Sequence, residues 1–243
     1  MDIEYDVKVC AGHLVSFGPG VNVSEKKDVL NSLLFIELNT NDAAGAQPWS
    51  KRAEGAFTAT QWVMRSSDAS NLTPAGADFS IGQLVEQYLG ENLNPRGVAQ
   101  LSDVLSRFNS LPEDHPAHRL FYRYAVRESA VDKSGNASTI VRFQISIVGR
   151  GPSLMTLFVE LDIARRMTSQ LFVERIQVKD CIGRIELSYN ERVLQTAAYG
   201  GTRAKVLAYL AKVKAPTPVS LPAVHKKPGE AGAGKSGSTL KGK

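Results

Sequence analysis

The stretch from Ser138 to Leu194 constrains the fold more than any other part of this chain. Runs of strand type follow one another there: Val141, Phe143, Ile145 and Ile147; then Leu157, Val159, Leu161 and Ile163; then a region around Leu171 to Val178; then Ile185, Leu187 and Tyr189. In the first, second and fourth runs, apolar and polar residues alternate at period two, which sends one face of each strand into a core and leaves the other polar. The connections, Gly149 to Ser153 and Arg165 to Ser169, are too short for the crossover helix that parallel neighbours require, so an antiparallel sheet is expected. Upstream, Leu120, Tyr122, Tyr124 and Val126 alternate with Arg119, Phe121, Arg123 and Arg127, and a turn at Lys133-Ser134-Gly135-Asn136 leads into the strand at Val141. The sheet is therefore expected to begin at Arg119. Ile3, Tyr5, Val7 and Val9 alternate with Glu4, Asp6 and Lys8 and predict an edge strand ending near Gly12, before a turn at Phe17-Gly18-Pro19-Gly20.

Between these strands the period changes to that of helices. Ser24 is a candidate N-cap for a helix from Glu25 to about Asn39, with Val29, Leu30, Leu33, Leu34 and Ile36 as its apolar stripe. The segment from Trp49 to Met64 reads as a second helix, with strand as the competing reading, and Ser67 to Asp78 reads as a loop. Ser80 and Gln83 form a capping-box pattern ahead of Ile81, Leu84, Val85, Tyr88 and Leu89. Asn94-Pro95 opens the next helix, with Pro at its first position and Leu111-Pro112 at its exit. A last helix spans Thr202 to Val213. The fold class that results is α/β with α+β character: a single domain over residues 1–214, with a mainly antiparallel sheet of about six strands covered by helices. Residues 215–243, rich in Pro, Gly, Ser and Lys, read as a disordered tail, because too little apolar surface is present to offset ordering entropy.

Charge divides along the same boundary. The net charge is +5, but five lysines (Lys226, Lys227, Lys235, Lys241, Lys243) and one acid (Glu230) follow Ala215, so residues 1–214 carry 24 bases against 23 acids. A nearly neutral body lacks the positive face that phosphate backbones require, and no specific nucleic-acid partner is expected. Two cysteines, Cys10 and Cys181, are too few for a disulfide framework and point to free thiols and a cytoplasmic origin. The acidic start Met-Asp-Ile-Glu-Tyr-Asp is unlike a signal peptide, and no run approaches the ~18 apolar residues of a spanning helix.

The candidate chemistry is sparse. Residues Gly229 to Ser236 match the G-x-x-x-x-G-K-[ST] pattern, yet a phosphate loop needs a strand before it and a helix after it. Pro-rich coil precedes this match and seven residues follow it, so it reads as a product of tail composition. His115 and His118 have no third His or Cys at metal spacing, and a surface loop is the expected setting. His13, and His225 in the tail, have no visible partners. Glu160 and Asp162 lie on one polar strand face; an acid and base pair is one reading, and a polar row facing solvent or a helix is the favoured one. No catalytic, metal-ligating or cofactor-binding set emerges, and a non-enzymatic role is expected. Cys181, in Lys179-Asp180-Cys181-Ile182-Gly183, has two readings: a small buried residue at a strand end, or a reactive or lipidated thiol with Lys179 beside it to favour the thiolate.

The order of elements, a strand, several helices, a long run of antiparallel strands and a closing helix, resembles the fold of the cytolytic delta-endotoxins (Cyt toxins) and of the Evf-type virulence factors. Leu105 to Pro112, Phe143 to Ile147, Leu157 to Ile163 and Phe172 to Tyr189 carry the resemblance, as topology over most of Met1 to Leu194. It implies a bacterial virulence factor or toxin that associates with host membrane lipids, by pore formation or through a fatty-acylated cysteine, with oligomers forming on the membrane. Cys181 is the residue carried over as a candidate lipidation site, and a covalent fatty acid is the one prosthetic group implied. The alternative is a structural or interaction module of a phage or secretion assembly, docking through its basic tail.

Overall fold

The computed structural model describes residues 5–42, 49–72, 76–128 and 138–223. Among these, the elements in chain order are β1 (Asp6–Cys10), β2 (His13–Phe17), α1 (Val23–Asp42), α2 (Trp49–Ala59), β3 (Trp62–Leu72), β4 (Asp78–Ser80), α3 (Ile81–Asn92), α4 (Pro95–Asn109), α5 (Pro116–Ala125), β5 (Val126–Glu128), β6 (Thr139–Gly149), β7 (Ser153–Ile163), β8 (Arg175–Gln177), β9 (Cys181–Leu194), α6 (Thr196–Lys212) and β10 (Val219–Ser220). The main sheet runs β10-β1-β2-β6-β7-β9-β3, with β5 on β6 beside the path, while β4 and β8 form a separate ribbon. The expected mainly antiparallel α/β domain is present. Every pairing described is antiparallel except β2 on β6, which brings His13 opposite Gln144 and Phe17 opposite Val148.

Strand alternation explains the layers. Val141, Phe143, Ile145 and Ile147 of β6, Leu157, Val159 and Leu161 of β7, and Ile185, Leu187 and Tyr189 of β9 face one core, closed by α3, α4 and α5. At its centre Phe108, Phe121, Phe143 and Phe172 meet edge to face or tilted, at centroid separations of 5.0 to 5.8 Å. The opposite face is covered by α1, α2 and α6, whose Leu33, Leu34, Ile36, Trp49, Phe57 and Val206 form a second core with Phe17, Val148, Leu154 and Phe158. The sheet is thus enclosed by helices on both sides. The face that alternation marks as polar lies beneath helices.

Several local expectations change. Leu120 to Val126 is not a strand: Pro116 to Ala125 is helical, with His115 as N-cap and Ala117, His118, Phe121 and Ala125 buried at helical spacing. Its aromatic and arginine residues happen to alternate as well, and only Val126 to Glu128 joins the sheet. The second strand, His13 to Phe17, gives no alternating signal because all five residues are buried. Leu171 to Val178 does not join the main sheet; it turns back, places Leu171, Phe172 and Ile176 in the first core, and pairs Arg175–Gln177 with β4. The segment from Trp49 divides between α2 and β3, and β3 extends to Leu72, through the first part of the expected loop. The first helix is capped not by Ser24 but by Asn22, whose Oδ1 accepts from Glu25 N at 2.9 Å while Glu25 Oε2 accepts from Asn22 N at 3.0 Å. The capping box at Ser80 and the Asn94 cap form as expected.

The N-terminal strand is not at the edge. Val219 and Ser220, expected in the tail, pair with Val9 and Lys8, and Leu221 is buried beyond them. The phosphate-loop match at residues 229–236, His225, and the turn at residues 133–136 lie outside the described residues.

Candidate functional site

The enclosed polar face is where this structure departs most from an ordinary core. Reading across the strands, His13, Gln144, Ser146, Thr156, Asn190 and Arg192 all project toward α1 and α2, and each is buried. Some find partners: Ser146 Oγ and Thr156 Oγ1 lie 3.0 Å apart, and Asn190 donates to Ser188 Oγ at 3.1 Å. Others do not. Among the described residues, buried polar atoms of His13 (Nδ1), Trp49, Gln144, Asp162 and Arg192 on this side of the sheet have no hydrogen-bond partner; Tyr199 Oη of α6 and, on the other side of the sheet, His118 Nδ1 of α5 also have none. A buried polar group left without a partner costs about 1–3 kcal/mol.

Three stations stand out along the face. At the first, His13 Nε2 lies 3.1 Å from Glu37 Oε2, with both side chains almost fully buried. Gly12 makes room for that carboxylate: a Cβ there would sit 2.8 Å from Glu37 Oε1. Cys10 is next to it and entirely buried; burial, reinforced by the nearby Glu37 charge, pushes its thiol far up, so it stays protonated. Its Sγ donates to Leu30 O at 3.6 Å. Gln144, opposite His13, is fully buried with neither amide atom paired.

At the second station, Arg142 holds Glu160 by two bonds, Nε to Oε2 at 2.8 Å and Nη2 to Oε1 at 3.0 Å, while its guanidinium lies 5.1 Å from the Trp49 ring centroid. Both carboxylate oxygens of Glu160 are thereby engaged by one guanidinium, the two-pronged geometry of an arginine–carboxylate pair. Glu160 and Asp162 do share a face, and that face meets helices, as the favoured sequence reading has it.

At the third, Arg192 of β9 is 2% exposed, stacks over Phe57 at 4.1 Å, and pairs through Nη2 with Glu54 of α2. Burial pulls the pKa of this guanidinium below its usual value, with Glu54 acting in the opposite sense. Its Nε and Nη1 have no partner among the described residues. A cleft of about 280 Å³ opens here between α2 and the β9–β3 end of the sheet, lined by Lys51, Glu54, Met64, Ser67, Phe158, Ser188, Asn190 and Arg192.

The cysteine and histidine candidates lie elsewhere. Cys181 begins β9, opposite Ile163, and is half-buried. Burial and then the Asp180 charge raise its pKa, and Arg165 opposes them, so its surroundings favour the thiol over the thiolate of the second reading. His115 Nδ1 accepts from Ala117 N at 3.2 Å as a helix cap, and His118 is buried, stacked on Phe108 at 4.4 Å. Both histidines serve α5 structurally, and neither lies in an exposed loop pair. Among the described residues no cluster of three or more His, Cys, Asp or Glu could hold a metal ion, and no helix is long and apolar enough to cross a membrane.

Sequence reasoning missed Arg192 and His13 as members of one face. Arg192 sits in β9 at a position whose alternation marks it as solvent-facing, and His13 lies in the strand without alternation. No family model matches the chain, and no curated protein matches it. Among solved structures, the activated Cyt2Ba monomer from Bacillus thuringiensis subsp. israelensis is similar with a TM-score of 0.42 at 10% identity, covering 75% of this chain and 95% of that one. A delta-endotoxin is similar with a TM-score of 0.39 at 10% identity, covering 75% of this chain and 79% of that one.

Proposed function

We propose that this protein is a non-enzymatic virulence factor or toxin that associates with host membranes by separating its α1–α2 layer from the sheet. The observation that carries the reading is that His13, Trp49, Gln144, Asp162 and Arg192 all place unpartnered buried polar atoms on the side of the sheet that α1 and α2 cover. Opening would return those atoms to water. It would also expose Leu33, Leu34, Ile36, Trp49 and Phe57, and each large apolar side chain contributes about 1.5–3 kcal/mol when buried. In water the apolar term wins and the layer stays closed. Beside a bilayer the apolar helix faces find a second apolar phase, their cost falls, and the polar gain remains. An acyl chain on Cys181 would add local anchoring at the β9 end of the sheet.

Flotation with liposomes tests this. The wild-type protein is expected to float with the vesicles, and Gln144→Leu, which replaces an unpaired buried amide with an apolar side chain, is expected to remain largely in the soluble fraction while gaining about 1–3 kcal/mol of stability. A wild-type protein that stays wholly soluble, with and without acylation, rules out membrane association. Equal flotation of both proteins rules out layer opening. Intact-mass measurement of protein from its native producer decides the acylation of Cys181.

A second reading, an interaction module, is favoured by β3. Among the described residues this eleven-residue strand pairs with β9 on one side only and ends the sheet, and it is exposed along most of its length. Such an edge can pair with the same edge of a second copy. The basic segment after Ala223 would then dock on an acidic partner. Because Val219 to Leu221 belong to the folded body, deletion of residues 224–243, rather than of the whole segment from Ala215, is the test of that docking.

A further inference from the structure

We infer that the cleft between the N-terminus of α4 and the ends of β2 and β6 binds a small phosphate monoester. Arg96 and Arg150 take its dianionic group, and its body, laid on Ile147 and Met155, donates a hydrogen bond to Gln100 Oε1. The crevice follows from the topology. β2 and β6 are the parallel pair, and beyond their carboxyl ends the chain parts, from Phe17 towards α1 and from Gly149 back into β7. Strands that part in this way leave a crevice off their carboxyl ends, the usual place for a ligand in an open α/β sheet. Here it has about 480 Å³ and closes against the first turn of α4.

The polar groups on its walls are reachable and uncommitted. Arg96 and Arg150 are both exposed, line the cleft, and pair with no carboxylate among the described residues. No described acidic residue lines it, so two positive charges face one space. Arg150 is laid across the turn before α1, where a Cβ on Gly20 would sit 2.7 Å from its Nη2. In the first turn of α4, Pro95 has no N–H, Asn94 Oδ1 accepts from Gly97 N at 2.9 Å, and Asn94 O accepts from Val98 N at 3.0 Å. That leaves the Arg96 N–H for a ligand, at the positive end of the helix dipole. These groups alone specify only an anion. Gln100 adds a second requirement. It is 4% exposed, one turn after Arg96 on the same helix face, and its Nε2 donates to Ser16 O at 3.0 Å and Ser16 Oγ at 2.8 Å. A backbone carbonyl only accepts, so the amide orientation is fixed and Oε1 is directed away from Ser16. Oε1 takes no hydrogen bond among the described residues, yet it is not sealed from solvent as that of Gln144 is. Gly18 keeps the approach open: a Cβ there would stand 3.9 Å from Oε1. Two arginines match a phosphate monoester, which carries about −1.5 to −2 charges at pH 7, better than a carboxylate. The lone acceptor calls for a hydroxyl or amine on the ligand, and Ile147 and Met155 for an apolar ring. The site does not depend on layer opening, because α4 packs on the first core, away from α1 and α2.

Isothermal titration calorimetry on the full chain tests this, with para-aminophenyl phosphate as the probe, phenyl phosphate as the analogue lacking the donor, and aniline as the analogue lacking the phosphate. The probe is expected to bind saturably, phenyl phosphate about two- to tenfold more weakly for the lost hydrogen bond, and aniline not measurably. Arg96→Gln and Arg150→Gln change exposed, unpaired side chains, so the urea midpoint should stay in place while each weakens the probe by about tenfold, the loss of a charge-assisted hydrogen bond. Absence of saturable binding overturns the site, as does full affinity in both arginine variants. Equal affinity for the probe and phenyl phosphate overturns the role of Gln100, and aniline binding as tightly as the probe overturns the phosphate. Protein that ignores the soluble probe but floats with phosphatidylcholine vesicles only when they carry phosphatidic acid takes its phosphate from a lipid headgroup, and that result overturns a soluble ligand.

Discussion

Gly82 shows how tightly single positions are specified. Its N–H donates to Phe172 O at 2.9 Å, and a Cβ at this position would lie 2.6 Å from that same carbonyl oxygen. The contact is backbone to backbone, so neither side can give way without moving α3 or the turn that seats Phe172 among Phe108, Phe121 and Phe143. Gly82→Ala is expected to cost about 1–3 kcal/mol, measured by urea denaturation, although alanine is the better helix former. Glu174 gives a pH prediction of the same kind. Burial alone would raise its pKa, but hydrogen bonds from Thr168 and Arg165 reverse the sign and hold it below the ordinary value of 4.5. A depressed folded-state pKa contributes stability that is present above 4.5 and lost as pH falls below it through the folded value. Comparing urea midpoints at neutral pH and near pH 3, Glu174→Gln should show a smaller acid loss than the wild type.

At the scale of elements, β3 is the strand whose behaviour is easiest to separate from the rest. Its register with β9 runs from Trp62 opposite Leu194 to Leu72 opposite Ile185, with an irregularity between Met64 and Ser66. Among the described residues only one of its two edges is paired. Amide exchange across residues 62–72 is therefore expected to slow as protein concentration rises, if copies pair through this edge, and concentration-independent exchange would dismiss such pairing. The same strand shows why sequence reading succeeded and failed where it did. β6, β7 and β9 are long and central, so their apolar face had to alternate, and the pattern was plain. The outer half of β3, Ser67 to Leu72, is held by backbone bonds to β9 with little burial, so nothing in its Ser, Asp and Asn content marks it as a strand. In α5 the reverse holds: two periodicities coexist in one segment, and the helix wins because His115 and Pro116 start it and Ala117, Phe121 and Ala125 fit the core beside β6. The candidate site was less legible still. Glu160 and Asp162 were visible as a polar row, but whether such a row meets water or a helix depends on chain far away in sequence, and Arg192 is brought to Glu54 across 138 residues.

For the whole molecule, the two helical layers are unequal. The α3–α4–α5 side is centred on four phenylalanines, with Gln100, Arg107 and His118 buried on its helices, and the α1–α2–α6 side mixes apolar contacts with ion pairs that cross between its elements. Ties across the second side are ionic at its margins, where Arg203 of α6 grips Asp28 of α1 through two bonds of 2.8 and 2.6 Å, and Arg192 holds Glu54. If the molecule opens at a membrane, this is the side that should part. The chain carries a reporter for that event, because its two tryptophans, Trp49 and Trp62, are both buried in this one layer, at 4% and 3% exposure. Trp62 Nε1 donates to Ser32 Oγ of α1 at 3.1 Å, so separation of α1 from the sheet breaks a bond to the fluorophore itself. On addition of vesicles, tryptophan emission is expected to change, and brominated acyl chains are expected to quench it if the exposed helix faces enter lipid. Gln144→Leu should reduce both responses. Emission that stays unchanged while the protein floats with the vesicles would mean that it binds closed, through its surface or an acyl chain, and that the strained polar face has some other purpose.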